Sequence, residues 1–217
     1  MTNKISITGR LCISCIRIRC LNHTGVAMLI LVDQDGVLAN FEQAFYQAWA
    51  LSPMQAQFPA LLPEERRHFY PRDDYPAKFA QATRELIASK GFFRHLPPMP
   101  GAVAALSAMQ AAGHEVVICT APINEYQYCV PEKYEWVEEH LGMEWTRRMV
   151  VTKDKTLVYG DVLIDDRPEI HGHRQPQWQH VLYDQPYNRG VAHTPRLTWN
   201  NWQEVLSSLS PQSKHSE

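Results

Sequence analysis

Two aspartates stand two residues apart directly behind a short apolar run near the start of the chain. Asp33 and Asp35 follow residues 28–32 (MLILV), and Gly36 comes immediately after them. The apolar run is typical of a buried strand, so both carboxylates are expected at its carboxyl end. Like charges held together are costly unless a cation lies between them or one of them carries a proton. The pair therefore indicates cation binding, proton transfer, or both.

Each of the next three apolar runs is also followed by side chains that suit phosphate or metal chemistry. In chain order these side chains are Thr120, Thr152, Lys155, Asp165 and Asp166. In open parallel sheets the ligand crevice lies outside the carboxyl ends of the strands. The sequence therefore predicts that these groups converge with the first two aspartates on one site.

The predicted cluster limits the chemistry that the site can perform. Several crowded carboxylates need a compensating cation, and Mg²⁺ is the natural partner for oxygen ligands. The hydroxyl of Thr120 and the ammonium of Lys155 suit a phosphate dianion. One carboxylate could attack phosphorus, and a neighbour of raised pKa could give and take the proton. Mg²⁺ and Lys155 would stabilise the transferring phosphoryl group.

Each feature also has an ordinary structural interpretation. Asp-x-Asp-Gly is common in turns, and Asp165-Asp166 could cap a helix that begins near Pro168. Thr120 could be a turn residue, and Lys155 an exposed loop lysine. All four features at successive strand ends, in order, favour the functional interpretation.

Strands and helices alternate along the chain, which predicts an α/β fold with a parallel sheet covered on both faces. Apolar runs predict strands at 28–32, 115–119, 149–151, 162–164 and 180–183. Helices are predicted over 39–51 and 77–89, around Val103, Leu106 and Met109, along the stripe Val130, Tyr134, Val137 and Leu141, and around Trp199, Trp202, Leu206 and Leu209. The proline-rich segment 52–79 is too irregular for the sheet and predicts a small lid inserted after the first strand.

Composition excludes several classes of protein. The 217 residues are 45% hydrophobic and 20% charged with a formal net charge of −2, which suits one globular domain. Near-neutral charge gives no reason to expect a nucleic-acid or membrane-surface partner. No apolar stretch approaches the roughly 20 residues of a bilayer span. The odd number of cysteines predicts reduced thiols and a cytoplasmic setting.

Residues 1–27 are interpreted as an N-terminal extension, either a disordered arm or an over-long start. They contain basic but no acidic residues, which is typical of transit peptides and also of any short basic arm. Four side chains superficially resemble a zinc-binding set: Cys12, Cys15, Cys20 and His23. The residues between them alternate like a strand, so the interpretation without metal is preferred.

The series Asp33-x-Asp35-Gly-Val, Thr120, Lys155 and Asp165-Asp166 resembles the four-part signature of the haloacid dehalogenase-like (HAD) phosphatases. The chain is more closely similar to one family within them, the 5′(3′)-deoxyribonucleotidases. The matching blocks fall within residues 28–170 and include DQDGVLANFE, RRHFYPRDDY, GFF, PMPGAV, CTAPINEYQYCVPEKYEWVEEHLG and TKDKTLVYGDVLIDDRPEI. The resemblance implies a Rossmann-like core at 28–45 and 92–217 and a small helical cap at 46–91.

The resemblance also implies catalytic and metal-binding roles. Asp33 would be the nucleophile that forms an aspartyl-phosphate intermediate, and Asp35 the general acid and base. Asp33, the backbone carbonyl of Asp35 and Asp166 would bind Mg²⁺, with Asp165 in support.

Substrate-binding roles follow from the same resemblance. Thr120 and Lys155 match the phosphate-binding positions, and Arg167 would lie near the substrate. Aromatic rings that would enclose the base are Phe41, Phe69, Tyr70 and Phe93, for which ordinary core packing is the alternative. Stacking a base on such rings contributes about 1–3 kcal/mol per base.

Two departures from the family pattern bear on the substrate. Ala121 stands where the family often has serine, so one hydroxyl near the phosphate is missing. The lid sequence Tyr70-Pro71-Arg72-Asp73 is more charged than expected. Both leave the phosphatase chemistry intact and weaken any inference about which nucleotide is preferred.

The expected function is therefore Mg²⁺-dependent hydrolysis of (deoxy)ribonucleoside monophosphates by a cytoplasmic phosphoric monoester hydrolase. Alternatives are a HAD phosphatase acting on another small phosphomonoester, a phosphotransferase, or a non-catalytic regulatory protein that binds phosphate. The partner is a small molecule rather than a nucleic acid or a membrane. The oligomeric state is open, with a homodimer as one candidate.

Overall fold

A six-stranded sheet in the order β3-β2-β1-β4-β5-β6, parallel throughout, forms the centre of the protein. The computed structural model describes residues 27–193 and 195–209. The strands are β1 (Leu29–Val32), β2 (Glu115–Thr120), β3 (Met149–Val151), β4 (Val162–Asp165), β5 (Gln179–Tyr183) and β6 (Arg196–Leu197). The predicted parallel α/β class is confirmed, and all five predicted strands are present. The two-residue β6 was not predicted because it has no apolar run.

The register of the central strands sets the position of the polar residues that follow them. Val32 at the end of β1 lies opposite Ile118 of β2 and Ile164 of β4. The backbone N–H of Asp33 continues this pairing and donates to the carbonyl oxygen of Ile164 at 2.9 Å. The ends of these three neighbouring strands are therefore nearly level at one edge of the sheet.

Both faces of the sheet are buried, in agreement with the continuous apolar character of the strands. On one face, Ile30, Val32 and Ile164 belong to a large hydrophobic cluster that includes residues of the principal helices. On the other face, Leu31 and Leu163 belong to a smaller cluster. The central strands therefore have little freedom to shift the residues at their ends.

Seven α-helices and several 3₁₀ turns connect the strands in the described part of the chain. The helices are α1 (Phe41–Ala50), α2 (Pro71–Asp74), α3 (Ala80–Ala88), α4 (Ala102–Ala111), α5 (Tyr126–Leu141), α6 (Met143–Thr146) and α7 (Trp202–Ser208). The helix predicted from residue 39 begins later because the side chain of Asn40 caps it, accepting from the N–H of Gln43. Trp199 precedes α7 rather than lying within it.

The buried face of α5 differs from the predicted one. The prediction placed Tyr134 on the apolar stripe, but its side chain is exposed, and the helix instead buries Cys129, Trp136 and two charged residues. The buried charged residues are Glu132 and Lys133. The true stripe is rotated because these two groups have partners inside the protein, which a pattern of apolar residues cannot reveal.

The segment between α1 and α4 contains α2, α3 and short 3₁₀ turns, and packs on aromatic side chains. The indole N–H of Trp49 in α1 donates to the carbonyl of Phe58 at 2.9 Å, and the ring centroid of Tyr75 lies 4.1 Å from that of Trp49. These contacts fasten the segment to the core. The boundaries of a cap at 46–91 stay a prediction.

Several sequence predictions concern residues outside or at the limit of the described part. The N-terminal extension, except its last residue, and the cysteine–histidine set lie outside the described residues. Cys119 and Cys129, which are described, are unpaired and buried. Among the described helices, none combines the length and the apolar character that crossing a membrane requires.

We predict that replacing Trp199 with Phe destabilises the protein. The indole N–H of Trp199 donates to the carbonyl of Val37 at 2.8 Å, and phenylalanine would leave this buried acceptor without a partner. The free energy of unfolding, measured by urea titration, should fall by about 1–3 kcal/mol. Tyr159→Phe, at a side chain that is 58% exposed, is the control and should change little. Equal stability of Trp199→Phe and the wild-type protein would contradict the proposed anchoring.

Candidate active site

A tight loop follows β1 and depends on a glycine. Gly36 has φ +76°, and the N–H groups of Leu38 and Ala39 both donate to the carbonyl of Gln34 at 2.8 Å. A Cβ atom at Gly36 would lie 2.1 Å from Oδ2 of Asp166. Glycine is therefore required both for the backbone conformation and for the close approach of the two loops.

Lys155 joins the carboxylates at the ends of β1 and β4. It lies in a 3₁₀ turn (Lys155–Leu157) after β3, and its side chain is buried. Its Nζ atom is 2.9 Å from Oδ1 of Asp33 and 2.5 Å from Oδ2 of Asp165. Asp165 also accepts from the N–H of Arg167 at 2.9 Å. The lysine is thus a fixed buried cation, which excludes the exposed-loop alternative.

Three carboxylates form a group that could hold a metal ion. Oxygen atoms of Asp33, Asp165 and Asp166 lie within 4.8 Å of one another. Asp166 is buried, its Oδ2 accepts from the hydroxyl of Tyr187, and its Oδ1 has no hydrogen-bond partner. A buried acceptor oxygen without a donor is costly unless a cation binds it. The donor set is all oxygen, which suits a hard divalent cation.

A second buried lysine, Lys133 of α5, holds Asp35. Its Nζ atom donates to Oδ2 of Asp35 at 2.6 Å and to Oγ1 of Thr120 at 2.9 Å. Oδ1 of Asp35 is buried without a partner. Thr120 thus accepts from Lys133 through an oxygen lone pair and helps to fix the position of the ammonium group.

The cluster is deficient in positive charge. When ionised, its four carboxyl groups and two ammonium groups carry a formal charge of −2. A divalent cation would balance this charge, whereas the protein alone can relieve it only by keeping protons on carboxyl groups.

The pKa shifts agree with this imbalance. Burial raises the pKa of Asp35, although the ammonium group beside it opposes the shift. Burial likewise raises the pKa of Asp165 to about 6 against the effect of Lys155. Burial, and then the charges of Asp165 and Asp33, raise the pKa of Asp166 well above its usual range. Burial alone would lower the pKa of Lys155, but its two carboxylate partners raise it.

A cavity of about 710 Å³ opens above the cluster, and its floor includes Asp33, Asp35 and Asp166. Five further residues that the sequence singled out lie on its wall: Phe41, Phe69, Tyr70, Phe93 and Arg167. Thr120 does not reach the cavity wall, whereas Ala121 does. Thr152 lies apart from the cavity, and its hydroxyl donates to the carbonyl of Asp154.

The aromatic wall residues differ in their surroundings. Phe93 is 1% exposed and belongs to the hydrophobic core, so it offers little surface to the cavity. Phe69 and Tyr70 come from the segment before α2, and each carries a guanidinium over its ring. Arg167 lies 5.6 Å from the ring centroid of Phe69, and Arg72 lies 4.8 Å from that of Tyr70. Cation–π contacts of this kind hold both groups at the rim.

The alternative in which Asp165-Asp166 caps a helix near Pro168 is wrong. No helix occurs in residues 167–178, all of which the structure describes. The two carboxylates instead point toward Lys155 and Tyr187. The two aspartates are therefore positioned by the end of β4 and not by the start of a helix.

Sequence reasoning missed three residues at the site. Lys133 and Glu132 lie next to each other on α5, and Glu132 accepts from the N–H groups of Gly91 and Phe93 at 2.6 and 3.1 Å. Tyr187 follows β5. Glu132 and Lys133 lie three or four residues from Cys129 and Trp136, a helical spacing that could have placed them on the buried face of α5. No sequence pattern marked Tyr187.

Comparison with families of known proteins gives a match over most of the chain. Residues 27–212 match the family described as 5′ nucleotidase, deoxy (Pyrimidine), cytosolic type C protein. A Bordetella pertussis protein named "Putative 5′(3′)-deoxyribonucleotidase" is 49% identical over 183 residues, which is 83% of this chain and 96% of that protein. The human 5′(3′)-deoxyribonucleotidase, cytosolic type, is 39% identical and covers 82% of this chain and 93% of its own length. The human mitochondrial 5′(3′)-deoxyribonucleotidase is 40% identical and covers 86% of each chain.

Solved structures agree on the fold. A HAD family hydrolase from Deinococcus radiodurans, solved with bound phosphate and sodium, superimposes with a TM-score of 0.55 at 15% identity. The match covers 85% of this chain and 98% of that one. The predicted HAD-like architecture is therefore confirmed.

We predict that Gly36→Ala weakens divalent-cation binding, because the added methyl group would displace Asp166. Titration calorimetry with Mg²⁺ should show at least about a tenfold rise in Kd, the range found when metal-site support is lost. Gly113→Ala is a matched control, since Gly113 also has positive φ (+90°) but has open space around its Cβ position. If both variants lost Mg²⁺ affinity equally, backbone strain would be the cause, and the proposed displacement of Asp166 would be contradicted.

Proposed function

The chain belongs to the 5′(3′)-deoxyribonucleotidase family, and we propose that it hydrolyses deoxyribonucleoside monophosphates to nucleoside and phosphate with Mg²⁺. Membership confirms the resemblance and the enzyme class, a phosphoric monoester hydrolase. The main support for this substrate is the position of the acidic cluster. It forms the floor of a cavity whose wall carries aromatic rings and cations.

In the proposed first step, a carboxylate oxygen of Asp33 attacks phosphorus and the bond to the nucleoside oxygen breaks. Oδ1 of Asp33 accepts from the N–H of Gln34 at 2.8 Å and lies 2.9 Å from Nζ of Lys155, so the protein fixes the orientation of the carboxylate. Oδ2 accepts no hydrogen bond from the described residues, and we assign it as the attacking atom. The product is an aspartyl phosphate on Asp33.

Asp35 moves the proton in both steps of the proposed reaction. Lys133 holds its Oδ2 and its Oδ1 has no hydrogen-bond partner, so the carboxyl group can carry a proton to the departing nucleoside oxygen. Water then attacks the aspartyl phosphate while Asp35 accepts a proton from that water. Phosphate is released, and the Asp33 carboxylate is restored. A raised pKa, caused by burial, suits Asp35 to this alternation.

We assign the metal site to Asp33, Asp166 and the backbone carbonyl of Asp35, with Asp165 held in place by Lys155. The bound ion would supply positive charge to the phosphoryl oxygens. The oxygen donors, the partnerless Oδ1 of Asp166 and the excess of negative charge support this assignment. Lys155 would bind the phosphate itself, and Thr120, which does not reach the cavity wall, would support the site through its hydrogen bond with Lys133.

The wall of the cavity supports a substrate whose leaving group, a nucleoside, carries an aromatic base. We propose that Phe41, Phe69, Tyr70 and Phe93 enclose the base and that Arg167 lies beside the substrate. A panel of nucleoside 5′- and 3′-monophosphates against sugar phosphates tests the assignment. Equal or faster turnover of sugar phosphates would favour the alternative of another small phosphomonoester.

Localisation and assembly are further proposals. We propose a cytoplasmic enzyme. The two human relatives carry the names cytosolic and mitochondrial, so cell fractionation is the test that distinguishes the two locations. A homodimer is one candidate for the assembly, and analytical ultracentrifugation tests it directly.

We predict that Asp33→Asn removes phosphate release while the protein stays folded. The amide is a poor nucleophile, so kcat should fall by at least about 1,000-fold. The amide oxygen can still accept from Gln34 and Lys155, so the fold should be retained. Circular dichroism and colorimetric phosphate release are the measurements. Asp73→Asn is the control, because that side chain is 48% exposed and does not line the cavity. Undiminished turnover of Asp33→Asn would refute the nucleophile.

We predict that Mg²⁺ raises the melting temperature of the wild-type protein relative to the same protein in EDTA. At 100 times Kd, binding contributes about 2.7 kcal/mol, which corresponds to about 5–10 °C for a domain of this size. Asp166→Asn should lose most of the shift because it removes a proposed ligand. EDTA should also remove activity, and Mg²⁺ should restore it. An equal thermal shift in Asp166→Asn would place the ion elsewhere.

A further inference from the structure

Outside the catalytic cluster, one buried cation joins α1 to the segment that carries Phe69 and Tyr70. Arg66 is 1% exposed, and its Nη1 donates to Oε2 of Glu42 at 2.7 Å. Its Nε donates to Oδ2 of Asp74 at 2.6 Å. The three side chains form one buried network, named here the Glu42–Arg66–Asp74 network.

The network fixes both ends of residues 67–73, a short loop that runs into α2 and is called the loop below. Asp74 at the far end of the loop accepts from the backbone N–H groups of Arg67 and His68 at 3.1 and 3.2 Å. The His68 ring adds a contact of 2.8 Å to the same carboxylate. Nη2 of Arg66 donates to the carbonyl of His68 at 2.9 Å. The loop therefore leaves the network at Arg66 and returns to it at Asp74.

The middle of this loop contacts core residues that also line the cavity. The Phe69 ring lies 5.9 Å from the ring of Tyr187 and 5.6 Å from the guanidinium of Arg167. These ring contacts are weak individually, so they can orient Phe69 only if its backbone is already in place. The buried network supplies that placement.

Arg66 does not line the cavity, whereas its partner Glu42 does, so an effect of Arg66 on a ligand passes through the loop or through Glu42. Burial raises the pKa of Glu42 to about 7 even with Arg66 beside it. Without the guanidinium, two carboxyl groups would share a buried space with no cation, and the network would have to open. Loss of Arg66 should therefore release the loop.

We propose that the Glu42–Arg66–Asp74 network is a positioning device that holds Phe69 and Tyr70 against the base, with Arg66 as its positioning residue. This inference rests on the proposed nucleotide substrate. It makes the network a determinant of selectivity between phosphate esters with and without a base, and leaves the phosphoryl-transfer chemistry unaffected.

The test compares a deoxyribonucleoside 5′-monophosphate with 2-deoxyribose 5-phosphate, which has the same sugar phosphate and no base. Arg66→Met keeps the length of the side chain and removes its charge. It should raise KM for the nucleotide about tenfold, within the range of base stacking, and change kcat less than twofold. For deoxyribose phosphate, kcat/KM should stay within twofold of the wild-type value. An equal fall for both compounds, or no change for either, would overturn the proposal.

Two further variants keep this test decisive. Arg67→Met is the matched control, because the exposed guanidinium of Arg67 donates to the backbone carbonyls of Glu64 and Arg66 rather than to carboxylates. It should leave the ratio of kcat/KM values unchanged. Asp74→Asn removes one charge outside the cavity and should shift the ratio in the same direction as Arg66→Met, by less. If Arg66→Met does not fold, an unchanged ratio in Asp74→Asn overturns the proposal.

Hydrogen exchange separates this inference from the proposed function. In Arg66→Met without ligand, amides of residues 67–74 should exchange about ten times faster, while those of α4 keep their wild-type rates. Faster exchange in a protein whose wild-type form hydrolyses neither compound would support the network and refute the nucleotidase function. Unchanged exchange at 67–74 would refute the network whatever the substrate.

Discussion

The balance between four carboxyl groups and two buried ammonium groups at the edge of the sheet is the constraint on which the site depends. Lys155 reaches the cluster from the turn after β3, and Lys133 reaches it from α5. Each lysine holds at least one carboxylate in a fixed orientation. Their charge is still insufficient to balance the four carboxyl groups, which favours both the proposed divalent cation and a proton on Asp35. The proposed metal site and the proposed acid–base role of Asp35 thus have the same electrostatic origin.

Much of the sheet and of its acidic edge was predictable from the sequence. The central strands are buried on both faces, so they appear as continuous apolar runs, and their ends are unambiguous. In a parallel sheet those ends meet at one side whatever the details of packing. The proximity of Asp33, Lys155 and Asp165 therefore followed from chain order alone.

The remaining parts of the site could not be predicted because they depend on partners distant in sequence. A periodic pattern places charged residues on the solvent side, so it misplaced Lys133, whose partner is 98 positions away at Asp35. Arg66 is buried for the same reason, since Glu42 and Asp74 supply its opposite charges. Tyr187 has no pattern at all. Buried polar groups are specified by tertiary structure and not by local sequence.

The hydrogen bond from Trp199 to Val37 joins residues 162 positions apart, and it lies beneath the loop that carries the aspartates. During synthesis on the ribosome, the acidic motif and Val37 emerge together, and the supporting Trp199 follows Val37 162 residues later. Such long-range pairing delays folding until most of the chain is available. Until Trp199 has emerged, a nascent chain therefore contains the acidic motif without the support that its loop has in the folded protein.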